Sequence, residues 1–503
     1  MKKEQFYELL GDVDESAVKA AEDPPVKKTK KRWIKYGAIA AACLVAVTGV
    51  GIGYRISGSK SQTVLGTAKR KKMLLAAAVY PEMPAYPDES AYDLAEDNDH
   101  EAFMETHEAF MEAIEKWWDA RRALRDQPEG YTDGFDVFFA NSTKAFLSDA
   151  GTENMIYSPL SLYMALGMSA EITDGNTRRQ ILDALAQDDI ETLRSHAKSI
   201  WLANYLDDGI AKCVLATSLW TNKSITYNKN TVDTLAGNYY SSVFTGDPGS
   251  GEYNELLRAW LNEQTDGLLS DHVSGVEMTP ETVLTLASTV NYSGKWNHKF
   301  SEEDTVPGTF RSPNGDVQCD FMNSSRTTYY YWGDKFTSVT LNLADNGQMR
   351  LILPDEGVSA EELLNDRGAM DHMMVMKGLE YTTSSKYVTV NLSVPKFDVS
   401  SRIDLEDGLN KLGITDIFDP VKSDFTPLTD SVDVIALSQA EQAARVMIDE
   451  EGCKAAAFTV MLDAGAMPPQ DKVDFVLDRP FIFELISENG LPLFVGIVND
   501  PSQ

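Results

Sequence analysis

The segment Asp449–Met467, DEEGCKAAAFTVMLDAGAM, suits two incompatible environments. Its acidic start, Gly452 and closing run of small residues favour an exposed, flexible stretch. Ala455, Ala456, Ala457, Val460 and Met461 have the size and apolarity of a strand that can be buried. A segment fit for both environments points to a switch, and it constrains the rest of the chain to a fold that can host one.

The segments around it fall in a telling order. Asn154–Gln180 contains N-x-x-x-S-P-x-S followed by D-G-N-T-x-x-Q, and Leu261–Leu268 reads L-N-x-x-T-x-G-x. Leu286–Trp296 ends in S-G-K-W, Val394–Phe418 gives P-K-F then L-G-I-x-D-x-F, and Phe475–Leu485 reads FVLDRPFIFEL. In this order the chain resembles the serpins, the family of suicide protease inhibitors, and the last block fits the family signature at every constrained position. The resemblance covers roughly the last three quarters of the chain, about the size of one large mixed domain. It implies an α+β serpin fold with a main antiparallel sheet, three β-sheets in all, about eight or nine helices and an exposed reactive-centre loop. Local pattern agrees: apolar residues recur at helical spacing over Phe135–Leu147 and Thr177–Leu185, and Lys386–Leu392 alternates like a strand.

Charge excludes one class of partner. Of 45 Lys+Arg and 77 Asp+Glu, residues 1–72 hold 15 and 7, which leaves 30 against 70 in the remainder. A body this acidic repels nucleic acid. The cysteines, Cys43, Cys213, Cys319 and Cys453, show neither C-x-x-C spacing nor a dense framework, and read as free thiols. An enzyme is also disfavoured. The histidines, His100, His107, His196, His272, His298 and His372, include no H-E-x-x-H, and the chain has no G-x-S-x-G elbow or Gly-rich phosphate loop. No metal or cofactor is expected.

Ahead of the body, assigned to 126–503, three segments are expected. Residues 1–35 read as a cytoplasmic basic tail. Tyr36–Tyr54 carries no charge and spans about 28 Å as a helix, near the roughly 30 Å of a bilayer core. Lys27, Lys28, Lys30, Lys31, Arg32 and Lys35 flank it, so it reads as a signal-anchor of a single-pass, bacterial-type cell-surface protein with the body outside. A cleaved secretory signal is the alternative. Residues 55–125 read as a linker with a short apolar helix at Met73–Val79, then an amphipathic helix. There the repeat HEAFME at His100 and His107 aligns Phe103, Phe110, Trp117 and Leu124, with Met104, Met111 and Trp118 beside them. Whether that stripe packs on the body or on another copy stays open.

For function, the resemblance implies inhibition by trapping. A protease attacks the loop as substrate, and the cut loop then inserts as a new strand of the main sheet. Fourteen inserted residues extend about 46 Å, which carries the acylated enzyme tens of ångströms. Alternation sets Cys453, Ala455, Ala457, Thr459, Met461 and Asp463 inward, and Lys454, Ala456, Phe458, Val460 and Leu462 outward. The hinge is Glu450, Glu451, Gly452, Cys453, Lys454, Ala455, Ala456 and Ala457, whose inward positions are small. Counting from Gly452 in the family manner places the reactive bond at Ala466–Met467. Small residues there suit elastase-like or subtilisin-like serine proteases, whereas trypsin-like enzymes need a basic residue that the tip lacks. Ser158, Ser161, Trp296 and Gln442 match positions where the sheet opens, with Gln442 where many members have histidine. The alternative is a non-inhibitory, serpin-like surface binding scaffold.

Overall fold

Along Glu441–Ile448, EQAARVMI, even-numbered residues are buried and odd-numbered ones half-buried, the period of two of a strand between unlike surroundings. The structure, a computed structural model, describes residues 67–87, 100–273, 275–374, 383–432, 435–438, 440–453, 469 and 471–503. In it this strand belongs to a main sheet ordered Leu74–Ala76, Ser241–Gly246, Lys212–Asn222, Leu284–Lys295, Gly452–Cys453, Glu441–Ile448 and Phe397–Asp404, with Leu206–Asp207 paired on Lys212–Asn222.

The sheet is mixed, not uniformly antiparallel as expected. Lys212–Asn222 and Ser241–Gly246 run parallel, since the helix Lys229–Asn238 carries the chain back between them. The other strands form a second hydrogen-bonded network rather than two further separate sheets among the described residues. The strand Gly315–Trp332 joins them by pairing with Thr305–Ser312 near one end and with Phe336–Asn342 near the other. The α+β architecture stands.

Two apolar clusters pack on the main sheet. The larger lies between the main sheet and the second network and includes Tyr157, Leu160, Tyr163, Met164, Val290, Tyr292, Ala444 and Val446. Within it the helix Pro159–Ile172 is buried on nearly every side. Ser158 caps that helix through its side chain and proline occupies the first turn, where no N–H is needed. On the opposite face Leu257, Trp260 and Leu261 of the helix Gly251–Gln264 pack over Trp220, Phe244 and Ala287 of the sheet. Trp220 stacks on Phe244 with ring centroids 4.2 Å apart. The expected helix at Phe135–Leu147 is present with those bounds, the next runs Gly175–Ala184, and the expected strand extends over Ser384–Pro395.

The segment before the body differs from its sequence reading. In place of an apolar helix at Met73–Val79, the helix Thr67–Met73 leads into the strand Leu74–Ala76, which adds to the edge of the main sheet. Tyr80 then packs its ring on Trp201, with centroids 5.0 Å apart. The helix His100–Arg125 docks on the body: Phe110 and Trp117 are buried, while Met104, Met111 and Trp118 are exposed. Trp117 Nε1 donates to Asp208 at 3.2 Å, and Arg121 Nη2 donates to Glu488 and to the Asp345 carbonyl, each at 2.7 Å.

The expected single-pass membrane placement is corrected. Among the described residues no helix is long and apolar enough to cross a membrane. Tyr36–Tyr54 and the basic tail 1–35 lie outside the described residues.

One charge pair is sealed in the second network. Arg350 and Glu484 face each other across neighbouring strands, and Arg350 Nη1 lies 2.6 Å from Glu484 Oε2 with side-chain exposures of 2% and 0%. Burial pushes the Glu484 carboxyl up to about 7 despite the guanidinium beside it. Arg350 Nη1 also donates to the carbonyls of His372 and Met373, at 2.9 and 3.0 Å, so it anchors the end of the helix Arg367–Met373. Arg350→Met is expected to cost about 3–5 kcal/mol by stranding Glu484. Adding Glu484→Leu should recover most of the loss, and chemical denaturation of both variants measures it.

Candidate functional site: the seam of the main sheet

Leu284–Lys295 and Glu441–Ile448 run side by side, bridged in parallel by Leu286 and Ala440 at one end. At the other end the chain itself separates them. After Ile448 it turns back, and Gly452–Cys453 enters between the two strands. Cys453 pairs antiparallel with both Ile448 and Gly294, and Gly452 with Lys295.

The turn is built by Asp449, whose Oδ1 accepts from Glu451 N at 2.9 Å and Gly452 N at 3.1 Å. Only glycine fits at 452. A Cβ there would collide with the Gly294 carbonyl oxygen and stand 2.6 Å from Lys295 Cα. Trp296 holds the turn from the side: its ring N–H donates to the Asp449 carbonyl at 2.8 Å and its backbone N–H to the Glu451 carbonyl at 3.1 Å. Phe300 N donates to the Glu450 carbonyl at 3.0 Å, and Lys396 Nζ pairs with the Glu450 carboxylate at 2.9 Å. Lys299 meets Glu451 at 3.2 Å in solvent.

Cys453 is buried in the sheet, and burial pushes its thiol up to about 12, with Asp345 and Asp449 adding to the shift. Tyr292, two residues before its partner Gly294, donates from Oη to Asp345 at 2.9 Å. The Asp345 carbonyl in turn accepts from Arg121, so the docked N-terminal helix reaches the underside of the hinge.

Further along the seam, both strands are fastened to the first turn of the helix Pro159–Ile172. Gln442 accepts from Ser158 N at 2.7 Å and donates from its amide to the Ser158 carbonyl at 3.1 Å. Across the seam Ser288 Oγ lies 2.5 Å from Ser161 Oγ and donates to the Ser161 carbonyl at 3.1 Å. Ser158, Ser161, Ser288 and Gln442 therefore form one polar patch in an apolar layer, spanning the two strands of the seam.

 

Of the hinge residues named from sequence, Glu450, Glu451, Gly452 and Cys453 fall on or just after the turn that Trp296 holds. Trp296 meets the turn at the Asp449 and Glu451 carbonyls, at 2.8 and 3.1 Å, and Phe300 N holds the Glu450 carbonyl at 3.0 Å. Lys454, Ala455, Ala456 and Ala457, with the expected reactive bond at Ala466–Met467, lie outside the described residues. Sequence reasoning missed Lys396 as the partner of Glu450, and missed Arg121 and Asp345 beneath the hinge. The acidic residue three positions before Gly452 was the available signal for the Asp449 turn.

Comparison with known proteins adds to this geometry. A family profile described as Serpin (serine protease inhibitor) matches residues 136–501. The chain belongs to the serpin family. Serpin-ZX of Arabidopsis thaliana is 28% identical over 368 residues, covering 69% of this chain and 92% of that protein. Among solved structures, the thermophilic serpin tengpin in its native state matches with a TM-score of 0.65 at 25% identity, covering 75% of this chain and 95% of that one. Serpin I2 of Homo sapiens is 28% identical over 360 residues, 69% of this chain and 86% of that protein. These relatives support the family and lend no support to the bacterial type or the membrane anchor expected from sequence.

Two outcomes follow for this serpin. Cys319, half-buried, should label with a maleimide before Cys213 and Cys453, which are buried. Peptide mass mapping of the labelled chain checks this, and equal rates at Cys319 and Cys453 would mean that the hinge spends its time outside the sheet. Gln442→Ala, which leaves the Ser158 backbone groups without their partner, should lower stability by about 1–3 kcal/mol in chemical denaturation.

Proposed function

We propose that this serpin inhibits serine proteases by suicide-substrate trapping, with cleavage at Ala466–Met467 and insertion of the cut loop into the main sheet. The observation that carries the reading is the short strand Gly452–Cys453, which already enters the seam between Leu284–Lys295 and Glu441–Ile448. A strand started in this register has an open path along the seam, and its next inward residues, Ala455 and Ala457, are small. The polar patch at Ser158, Ser161, Ser288 and Gln442 supports it, because hydrogen bonds can be exchanged there as the strands part, which a purely apolar contact cannot do. Gly465 and Ala466 favour elastase-like or subtilisin-like targets over trypsin-like ones.

The full chain mixed with elastase, subtilisin and trypsin should give a complex that survives denaturing electrophoresis with the first two, and a released fragment beginning at Met467. Clean cleavage with no such complex would leave the loop a mere substrate and favour the binding scaffold. Gly452→Val, which places a side chain against the backbone of Gly294 and Lys295, should convert trapping into simple cleavage. The ratio of complex to cut inhibitor on the same gels measures it.

A further inference from the structure

The repeat HEAFME draws two apolar lines along the helix His100–Arg125, one residue apart. Phe110 and Trp117 take the first line into the body, and the trapping mechanism makes no use of the second. Met104, Met111 and Trp118 lie on that second line, seven apart, and stay 49%, 44% and 39% exposed. A seven-residue step advances an α-helix by about 10.5 Å. Side chains on one face of a strand recur about every 6.8 Å, so an extended segment falls out of step with this line. A second helix with apolar residues at the same interval keeps step with it.

One end of the line is held in place. Trp118 stands edge-on to Trp117 with ring centroids 4.7 Å apart, and the Arg121 guanidinium lies 6.0 Å from its ring. Trp117 is tied to Asp208, and Arg121 to Glu488 and the Asp345 carbonyl, so contacts with the body fix the exposed indole. A fixed aromatic ring beside unbranched, polarisable methionines suits a surface that receives an amphipathic helix.

Charge decides between occupants. Over residues 104–119 the helix carries Glu105, Glu108, Glu112, Glu115 and Asp119 against Lys116, all of them exposed. A second copy is a poor fit in either direction. Paired parallel, Glu108 and Glu115 meet their own counterparts, and paired antiparallel about Met111, Glu108 of one copy meets Glu115 of the other. An anionic membrane surface is repelled for the same reason. A helix with lysines or arginines flanking its apolar side satisfies both the spacing and the charge.

We propose that this outer face docks a basic amphipathic helix of a partner protein, with Met104, Met111 and Trp118 against its apolar side and Glu108 and Glu115 against its cations. The surface is separate from the seam, so the proposal stands independently of loop insertion.

The test uses the full chain and a fluorescein-labelled peptide of lysine and leucine patterned as an amphipathic helix, with a peptide of the same composition in scrambled order beside it. Fluorescence anisotropy should show the patterned peptide binding about tenfold more tightly than the scrambled one, or better. Met104→Ser with Met111→Ser, which leaves the charge unchanged, should weaken binding of the patterned peptide by about tenfold. Glu108→Gln with Glu115→Gln should weaken it too, and should reduce the loss of affinity caused by added salt. Both double variants change exposed side chains, so their guanidinium midpoints should match the parent's. Equal binding of the two peptides, or of the patterned peptide to the parent and the methionine variant, would reduce the effect to attraction between a cation and an acidic body and overturn the proposal. A dimer of the parent chain in sedimentation velocity, lost in the methionine variant, would give the face to a second copy and overturn it as well.

Discussion

The Gln442 side chain grips the Ser158 backbone from one strand of the seam, and the Ser288 hydroxyl grips Ser161 from the other. Both contacts end on the first turn of one helix, so the two strands are held in place through a shared third body. Among the described residues, their direct ladder pairing is the single bridge between Leu286 and Ala440. A seam fastened this way is stable yet divisible. Each hydrogen bond contributes about 0.5–1.5 kcal/mol net, small beside the burial of the surrounding apolar side chains.

The layers on either side make the seam the easiest place for the main sheet to divide. Beneath it, the helix Pro159–Ile172 is buried almost all round and gives a fixed base. Above it, Gly251–Gln264 covers the seam through Leu257 and Leu261, with space left over. The strands Lys212–Asn222 and Leu284–Lys295, by contrast, share ten consecutive register pairs from Lys212–Ser293 to Thr221–Leu284. Separation there would break a long ladder, while separation at the seam breaks few backbone bonds.

Much of the fold was legible in the sequence because its signals are local. The capped helix start at Ser158-Pro159, the alternation of Glu441–Ile448 and the glycine at 452 each reflect backbone chemistry within a few residues. Cys453, read as the first inward residue of the hinge, is buried in the sheet. What stayed hidden depends on partners far along the chain. Leu74–Ala76 becomes a strand because Phe244 and Val243 lie beside it, a fact its own apolar run does not carry, since MLLAAAV suits a helix equally well. The partners of Arg121, the Asp345 carbonyl and Glu488, are likewise distant, and an arginine on an amphipathic helix reads from sequence as a solvated charge.

The short strand Leu74–Ala76 has one more effect. By pairing with Ser241–Gly246 it occupies backbone donors and acceptors along part of that edge of the main sheet. Open edges invite pairing with other chains. With that stretch capped by the chain's own N-terminal segment, strand addition from another chain meets a competitor already in place.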